Sequence, residues 1–170
     1  MKEKLLKLIG SFPPAFAGIA RTVRRERNMR IHLCAVAFVV VTGIWQGLSA
    51  AHWAVELLCC GVVIGLEMLN SALEALCDRV DQRDDPLIRR CKDAAAGAVL
   101  AAALFSVLIW VVLLLWEREY LLHFRAWFRY GGWTMAVIWA ACSFIIVFVP
   151  DDKKRKPDAD EKADGTEEEK

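Results

Sequence analysis

Four long apolar runs decide what this chain can fold into. They cover residues 31–48, 53–73, 94–116 and 133–149. Each approaches the roughly 20 residues that an α-helix needs to cross the hydrocarbon of a bilayer. Inside hydrocarbon every backbone N–H and C=O must be paired within its own segment, and helices meet that demand. The expected fold class is therefore an all-α membrane protein. The fourth run is the shortest. Trp45, Trp53, Trp110, Trp116 and Trp133 fall at or near run ends, where indole rings suit the interfacial belts. The opening MKEKLLKLIGSFPPAF has a basic start but no long apolar core and no small-residue cleavage site, so it does not read as a signal peptide.

The segment before the first run has the composition of a helix lying in the headgroup plane. Over residues 12–30, Phe16, Ile19, Ala20 and Val23 share one face, while Arg21, Arg24 and Arg25 share another. Pro13 and Pro14 suit its first turn. The net charge is only +1, but its distribution is uneven. Lys and Arg crowd the segment before the first run, the second–third connection (Arg79, Arg83, Arg89, Arg90, Lys92) and the KKRK after the fourth run. The first–second connection, QGLSAAH, has none, and the third–fourth connection has Arg118, Arg125 and Arg129, so basic residues favour one side. The positive-inside rule then places both termini in the cytoplasm. The tail from residue 151 carries no large apolar residue and is expected to be disordered. The six cysteines (34, 59, 60, 77, 91 and 142) show no CxxC pairing and read as small buried hydrophobes.

The second run does not end cleanly. GLEMLNSALEALCD, residues 65–78, brings Glu67, Asn70, Ser71, Glu74 and Asp78 to the edge of the membrane. At about 100° per residue these lie within about 60° of Glu67, so they form one stripe, with Glu67 and Glu74 about 10 Å apart along the axis. Gly61, Gly65 and Ala72 face the other way and allow a close helix contact. Ionisable groups at membrane depth are expensive, and by default they mark function. Such carboxylates can hold Mg²⁺ beside substrate phosphates, or one can act as a general base. A buried polar network that fixes helix register is the plainer alternative.

Two further clusters flank the stripe. In RRCKDAAAGAVLAAA, Lys92 can contact a phosphate or snorkel to the interface, and Asp93 can serve the site or cap a helix. In RRERNMRIH, Glu26 can be a metal carboxylate or a surface ion pair. Arg30 and His32 can meet phosphate or anchor the helix. There is no GxxxxGK[ST], GxGxxG or GxSxG in the chain, so any nucleotide is positioned by carboxylates, metal and basic groups rather than by a glycine loop.

Three of these motifs stand in order against three apolar runs: ERNMRIH (26–32), EMLNSALE (67–74) and KDAAAGAVL (92–100). Over residues 12–116 the chain resembles the small prokaryotic integral-membrane lipid kinases, the diacylglycerol kinase and undecaprenol kinase family. The resemblance implies a homotrimer whose subunits each have an amphipathic N-terminal helix and three transmembrane helices, with sites shared between subunits. It implies transfer of the γ-phosphate of ATP to a lipid hydroxyl, with Mg²⁺. By motif match Glu67 is the expected catalytic base, and Glu26 and Glu74 the metal carboxylates. Asn70, Lys92, Asp93 and Asp78 match positions around the phosphates and nucleotide. Arg30, His32 and Ser71 are candidate substrate or phosphate contacts.

The RNMRIH entry, with His32 where the proteobacterial type has an acidic residue, and AAAGAVL lean toward undecaprenol as substrate, with diacylglycerol as the alternative. The implied organisation is a lipid kinase core over 1–116, with an interfacial helix 12–30 and transmembrane helices 31–48, 53–73 and 94–116. A loop and extra transmembrane helix follow over 117–150, then a charged cytoplasmic tail over 151–170. The fourth helix departs from the family pattern. The expected location is the bacterial cytoplasmic membrane, and no nucleic-acid partner is expected. Two other classes compete with the enzyme: an inactive membrane scaffold, suggested by the fourth run and tail, and a channel. The channel is disfavoured because residues 94–116 carry no charge.

Overall fold

In the computed structural model residues 10, 12–80, 85–116 and 118–148 are described. The expected disorder of the tail and the KKRK cluster lie outside them. Every element among the described residues is helical: α1 Phe12–Arg25, α2 Arg27–Gln46, α3 Ala50–Val80, α4 Pro86–Trp116, α5 Arg118–Trp127, a π-type bend Phe128–Gly132, and α6 Trp133–Val147. Three helices (α2, α3 and α4) are long and apolar enough to span a membrane, and a fourth span exists if α5 and α6 are taken as one bent element.

The helix ends follow local chemistry. α1 carries Pro13 and Pro14 in its first turn and ends on Arg24 and Arg25, where cations suit the negative pole of the helix. None of its residues is buried, and Phe12, Phe16 and Ile19 stand exposed along one stripe, as an interfacial helix requires. The chain then goes extended at Glu26 (φ −109°, ψ 118°), which separates α1 from α2.

α2 stops at Gly47, whose φ of 65° is open to glycine at no steric cost. The Leu48 N–H donates to the Gly43 carbonyl and the Gly47 N–H to that of Ile44, both at 3.2 Å, closing a Schellman motif. Ser49 caps α3, its hydroxyl accepting from the His52 N–H at 3.4 Å. Asp85 caps α4 by accepting from the Leu87 N–H at 2.7 Å, with Pro86 as the first helical residue. The helix therefore begins ahead of the third apolar run, and Asp93 lies inside it rather than at its cap.

α3 packs along α4, α2 packs on α3, and α6 packs on α2, while α2 and α4 hardly touch each other. A cleft is left between α2 and α4 with α3 as its floor. Burial runs opposite to that of a water-soluble domain. Among the described residues the buried apolar side chains are Met29, Val63 and Val99, whereas Arg30, Thr42, Gln46, Glu56, Glu67 and Asn70 are buried polar ones. Large apolar side chains such as Leu104, Phe105, Val112 and Leu115 of α4 point outward, where hydrocarbon is their solvent.

The segment after α4 doubles back. Tyr120 of α5 meets the α2–α3 turn, its hydroxyl 3.3 Å from the Ser49 N–H. Phe124 then stands edge-on to Trp110 with ring centroids 6.1 Å apart. An 80° bend follows. Gly131 adopts φ 96°, and a Cβ at Gly132 would run into the Trp127 ring and sit 2.6 Å from the Trp127 carbonyl oxygen. Replacing Gly132 by Val should destabilise the protein by about 1–3 kcal/mol through this overpacking. Reversible unfolding in mixed micelles measures it, and a midpoint equal to wild type would show that the bend tolerates a side chain.

Candidate active site

The acidic stripe runs from the interior of the helix bundle to the water. Glu67 is 1 % exposed and Asn70 6 %. Glu74, one turn on, is half-buried, and Asp78 is exposed. α3 is about 46 Å long at 1.5 Å per residue, against a hydrocarbon core of about 30 Å. Glu67 lies 17 residues, or about 26 Å, beyond the start of α3, so it sits where the helix leaves the hydrocarbon. Glu74 and Asp78 lie beyond it.

A cavity of about 250 Å³ opens in the cleft at this depth. Its lining includes Asn28 and His32 of α2, Glu67 and Asn70 of α3, and Ala96 and Val99 of α4. The small side chain of Ala96 keeps the α4 wall thin. The Asn70 amide donates to Glu74 Oε1 at 3.2 Å. Its own Oδ1, and the Ser71 hydroxyl, are buried without a hydrogen-bond partner among the described residues. Such groups are costly when left unmade, and Asn70, which lines the cavity, can offer its oxygen to an arriving ligand. Further out, Lys92 Nζ meets Asp78 Oδ1 at 2.6 Å, tying the end of α3 to the start of α4. This pair is largely solvated, so its use is to place charge rather than to hold the fold.

The other expected site residues divide. Asp93 is exposed near Lys92 in sequence but does not line the cavity. Glu26 is half-buried at the α1–α2 break. Arg30 is buried and turned away from the cavity: Nη1 donates to the Arg24 carbonyl at 3.1 Å and Nη2 to that of Val147 at 3.3 Å. It joins the ends of α1 and α6, as an anchor would. Asn28 is the lining residue that sequence reasoning passes over. Its signal is the four-residue step to His32, which puts both on one helix face.

Among the described residues no three His, Cys, Asp or Glu side chains gather into a group that could hold a metal ion. Mg²⁺ does not require one, since it keeps several waters and takes one or two carboxylates together with substrate phosphates. Glu74, oriented by Asn70, can supply that share.

The model of a protein family described as prokaryotic diacylglycerol kinase matches residues 14–114. The chain belongs to this family. Its members are lipid kinases, so ATP is the co-substrate and the membrane is the location. The family match spans α1 to α4 and stops short of α5 and α6. Among related proteins, the undecaprenol kinase of Bacillus subtilis strain 168 is 36% identical over 114 residues, covering 67% of this chain and 93% of that protein. The diacylglycerol kinase of Synechocystis sp. PCC 6803 is 39% identical over 109 residues, 64% of this chain and 62% of that protein. The diacylglycerol kinase of Escherichia coli K12 is 35% identical over 100 residues, 59% of this chain and 82% of that protein.

Proposed function

We propose that the Glu67 cavity phosphorylates the hydroxyl of a membrane-dissolved lipid, with MgATP approaching from the aqueous end of the stripe. The observation that carries this reading is a carboxylate buried in a cavity at the hydrocarbon boundary, on the same helix face as solvated acidic groups. Glu67 takes the proton of the lipid hydroxyl as the oxygen attacks the γ-phosphorus. The new bond is lipid O–P, the bond broken is that between the γ-phosphorus and the β–γ bridging oxygen, and ADP leaves.

When bound, Mg²⁺ would offset phosphate charge. Glu74 would hold it, with Glu26 as the second carboxylate, while Asn70, Lys92, Asp93 and Asp78 would surround the phosphates and nucleotide. Positioning and charge neutralisation of this kind are most of what phosphoryl transfer needs. His32, which lines the cavity, would contact the lipid headgroup, and Ser71 is a further candidate contact.

Undecaprenol is the favoured lipid and diacylglycerol the alternative. The RNMRIH motif and the coverage of the Bacillus undecaprenol kinase support the first, and the other relatives support the second. In this reading residues 1–116 are the kinase core, and both termini and the α3–α4 hairpin face the cytoplasm. The basic residues of α1, set against an α2–α3 turn without Lys or Arg, support that orientation. A homotrimer is supported by Gly61, Gly65 and Gly97, which have open space where a Cβ would stand and so admit a close helix from another copy.

The test supplies purified protein with γ-labelled ATP, Mg²⁺ and either undecaprenol or diacylglycerol. Label in undecaprenyl phosphate is expected. Label mainly in phosphatidate would keep the mechanism and reverse the substrate, and label in neither lipid would overturn the reading in favour of a scaffold.

A further inference from the structure

A second and larger cavity, about 370 Å³, adjoins the first. His32 and Ala103 line both, so the two meet at these residues. The second is almost wholly apolar. Val36, Phe38, Val63 and Val107 are among its walls, and Trp139 of α6 is another. It runs from the depth of Glu67 toward Glu56, 11 residues earlier on α3. Eleven residues bring a helix to within about 20° of the same face and about 16 Å further along.

Trp139 is half-buried. Its ring packs on Phe38 with centroids 4.9 Å apart. The end of its helix is tied to the core by Arg30 through the Val147 carbonyl, and the start is set by the bend at Gly132. The family match ends at residue 114, so this wall is an addition to the family's common core. Glu56 ends the cavity with a buried carboxyl oxygen that has no hydrogen-bond partner among the described residues. A hydrocarbon chain gains nothing by passing such a group.

We propose that the proximal hydrocarbon chain of the lipid alcohol lies in this second cavity while its hydroxyl is at Glu67, and that Trp139 is a specificity-determining wall of the chain site. The occupant follows from adjacency and chemistry: the cavity shares His32 and Ala103 with the Glu67 cavity, and its lining is apolar. At about 30 Å³ per small group, the share of a water in the liquid, the cavity holds about a dozen chain atoms. That is the first part of one chain, with Glu56 marking where the chain turns out into the bilayer. This inference rests on the lipid-kinase reading above.

The first measurement compares wild type with Trp139→Ala and Val36→Trp in mixed micelles, varying lipid and ATP separately. A chain in the bilayer is already among hydrocarbon, so the site gains packing rather than hydrophobic burial. Loss of one aromatic wall should then raise KM for the lipid by about fivefold, and Val36→Trp, which fills the cavity, should raise it further. KM for ATP should stay within about twofold. Unchanged lipid KM in both variants, with wild type active, places the chain elsewhere and overturns the inference while the Glu67 reading stands.

The second measurement does not need turnover. A long-chain alcohol carrying a diazirine part-way along the chain is photolysed with Glu67→Gln protein and the adducts are mapped by mass spectrometry. Adducts on peptides holding Phe38, Val63 and Trp139 support the chain site. Adducts concentrated on the outward face of α4, at Leu104 and Val112, overturn it. If wild type phosphorylates no lipid, the function reading fails, and the adduct map still decides whether the cavity takes a chain.

Discussion

Glu67→Gln should lower lipid phosphorylation by about 10³-fold, within the range that a positioned general base contributes, with the unfolding midpoint close to wild type. The side chain is 1 % exposed, so the substitution must be nearly isosteric for the readout to report chemistry rather than packing. Glutamine keeps the volume and a hydrogen-bonding end but cannot take a proton. A truncation such as Glu67→Ala would confuse the two by leaving a cavity beside Asn70. The measurement is initial rate with saturating lipid and MgATP, paired with unfolding of the same preparations. A Gln variant at full rate would remove Glu67 from the chemistry. A Gln variant that is slow and also unfolded would report on stability alone.

Glu74→Gln should act differently. Glu74 accepts from the Asn70 amide at 3.2 Å and stands one turn nearer the water, and in the proposed reading its share falls on the metal and phosphates rather than on the lipid hydroxyl. The expected result is a rise of about tenfold or more in the Mg²⁺ concentration for half-maximal rate, since Mg²⁺ sites rest on only one or two carboxylates. KM for the lipid should change little. Titration of rate against free Mg²⁺ at fixed ATP decides it. An unaltered Mg²⁺ profile with a raised lipid KM would move Glu74 into the lipid site.

The helices are legible in the sequence because hydrocarbon demands uninterrupted apolar stretches, and runs at 31–48, 53–73 and 94–116 mark α2, α3 and α4. Their ends are less legible. α3 continues to Val80 and α4 begins at Pro86 because a helix does not stop where its composition turns polar; capping by Asp85 sets that boundary. The order of the acidic stripe is legible from 100° steps alone, and the structure adds its gradient from buried Glu67 to exposed Asp78. Arg30 cannot be resolved from sequence. Its partner, the Val147 carbonyl, is 117 residues away, and nothing local separates an anchor from a phosphate ligand. Glu56 carries a readable signal, the three-turn spacing from Glu67, but its apolar neighbours hide it until Trp139 is seen to close the same cavity.

The inverted burial has a thermal consequence. A water-soluble domain gains heat capacity on unfolding because apolar groups meet water, and its stability therefore curves with temperature. Here Leu104, Phe105, Val112 and Leu115 already face outward in the folded chain. If the helices separate while still in the bilayer, these groups exchange one hydrocarbon neighbour for another. The enthalpy of that separation should change little with temperature, with no cold-side loss of stability. The identity of the surrounding lipid or detergent should then shift the equilibrium more than cooling does.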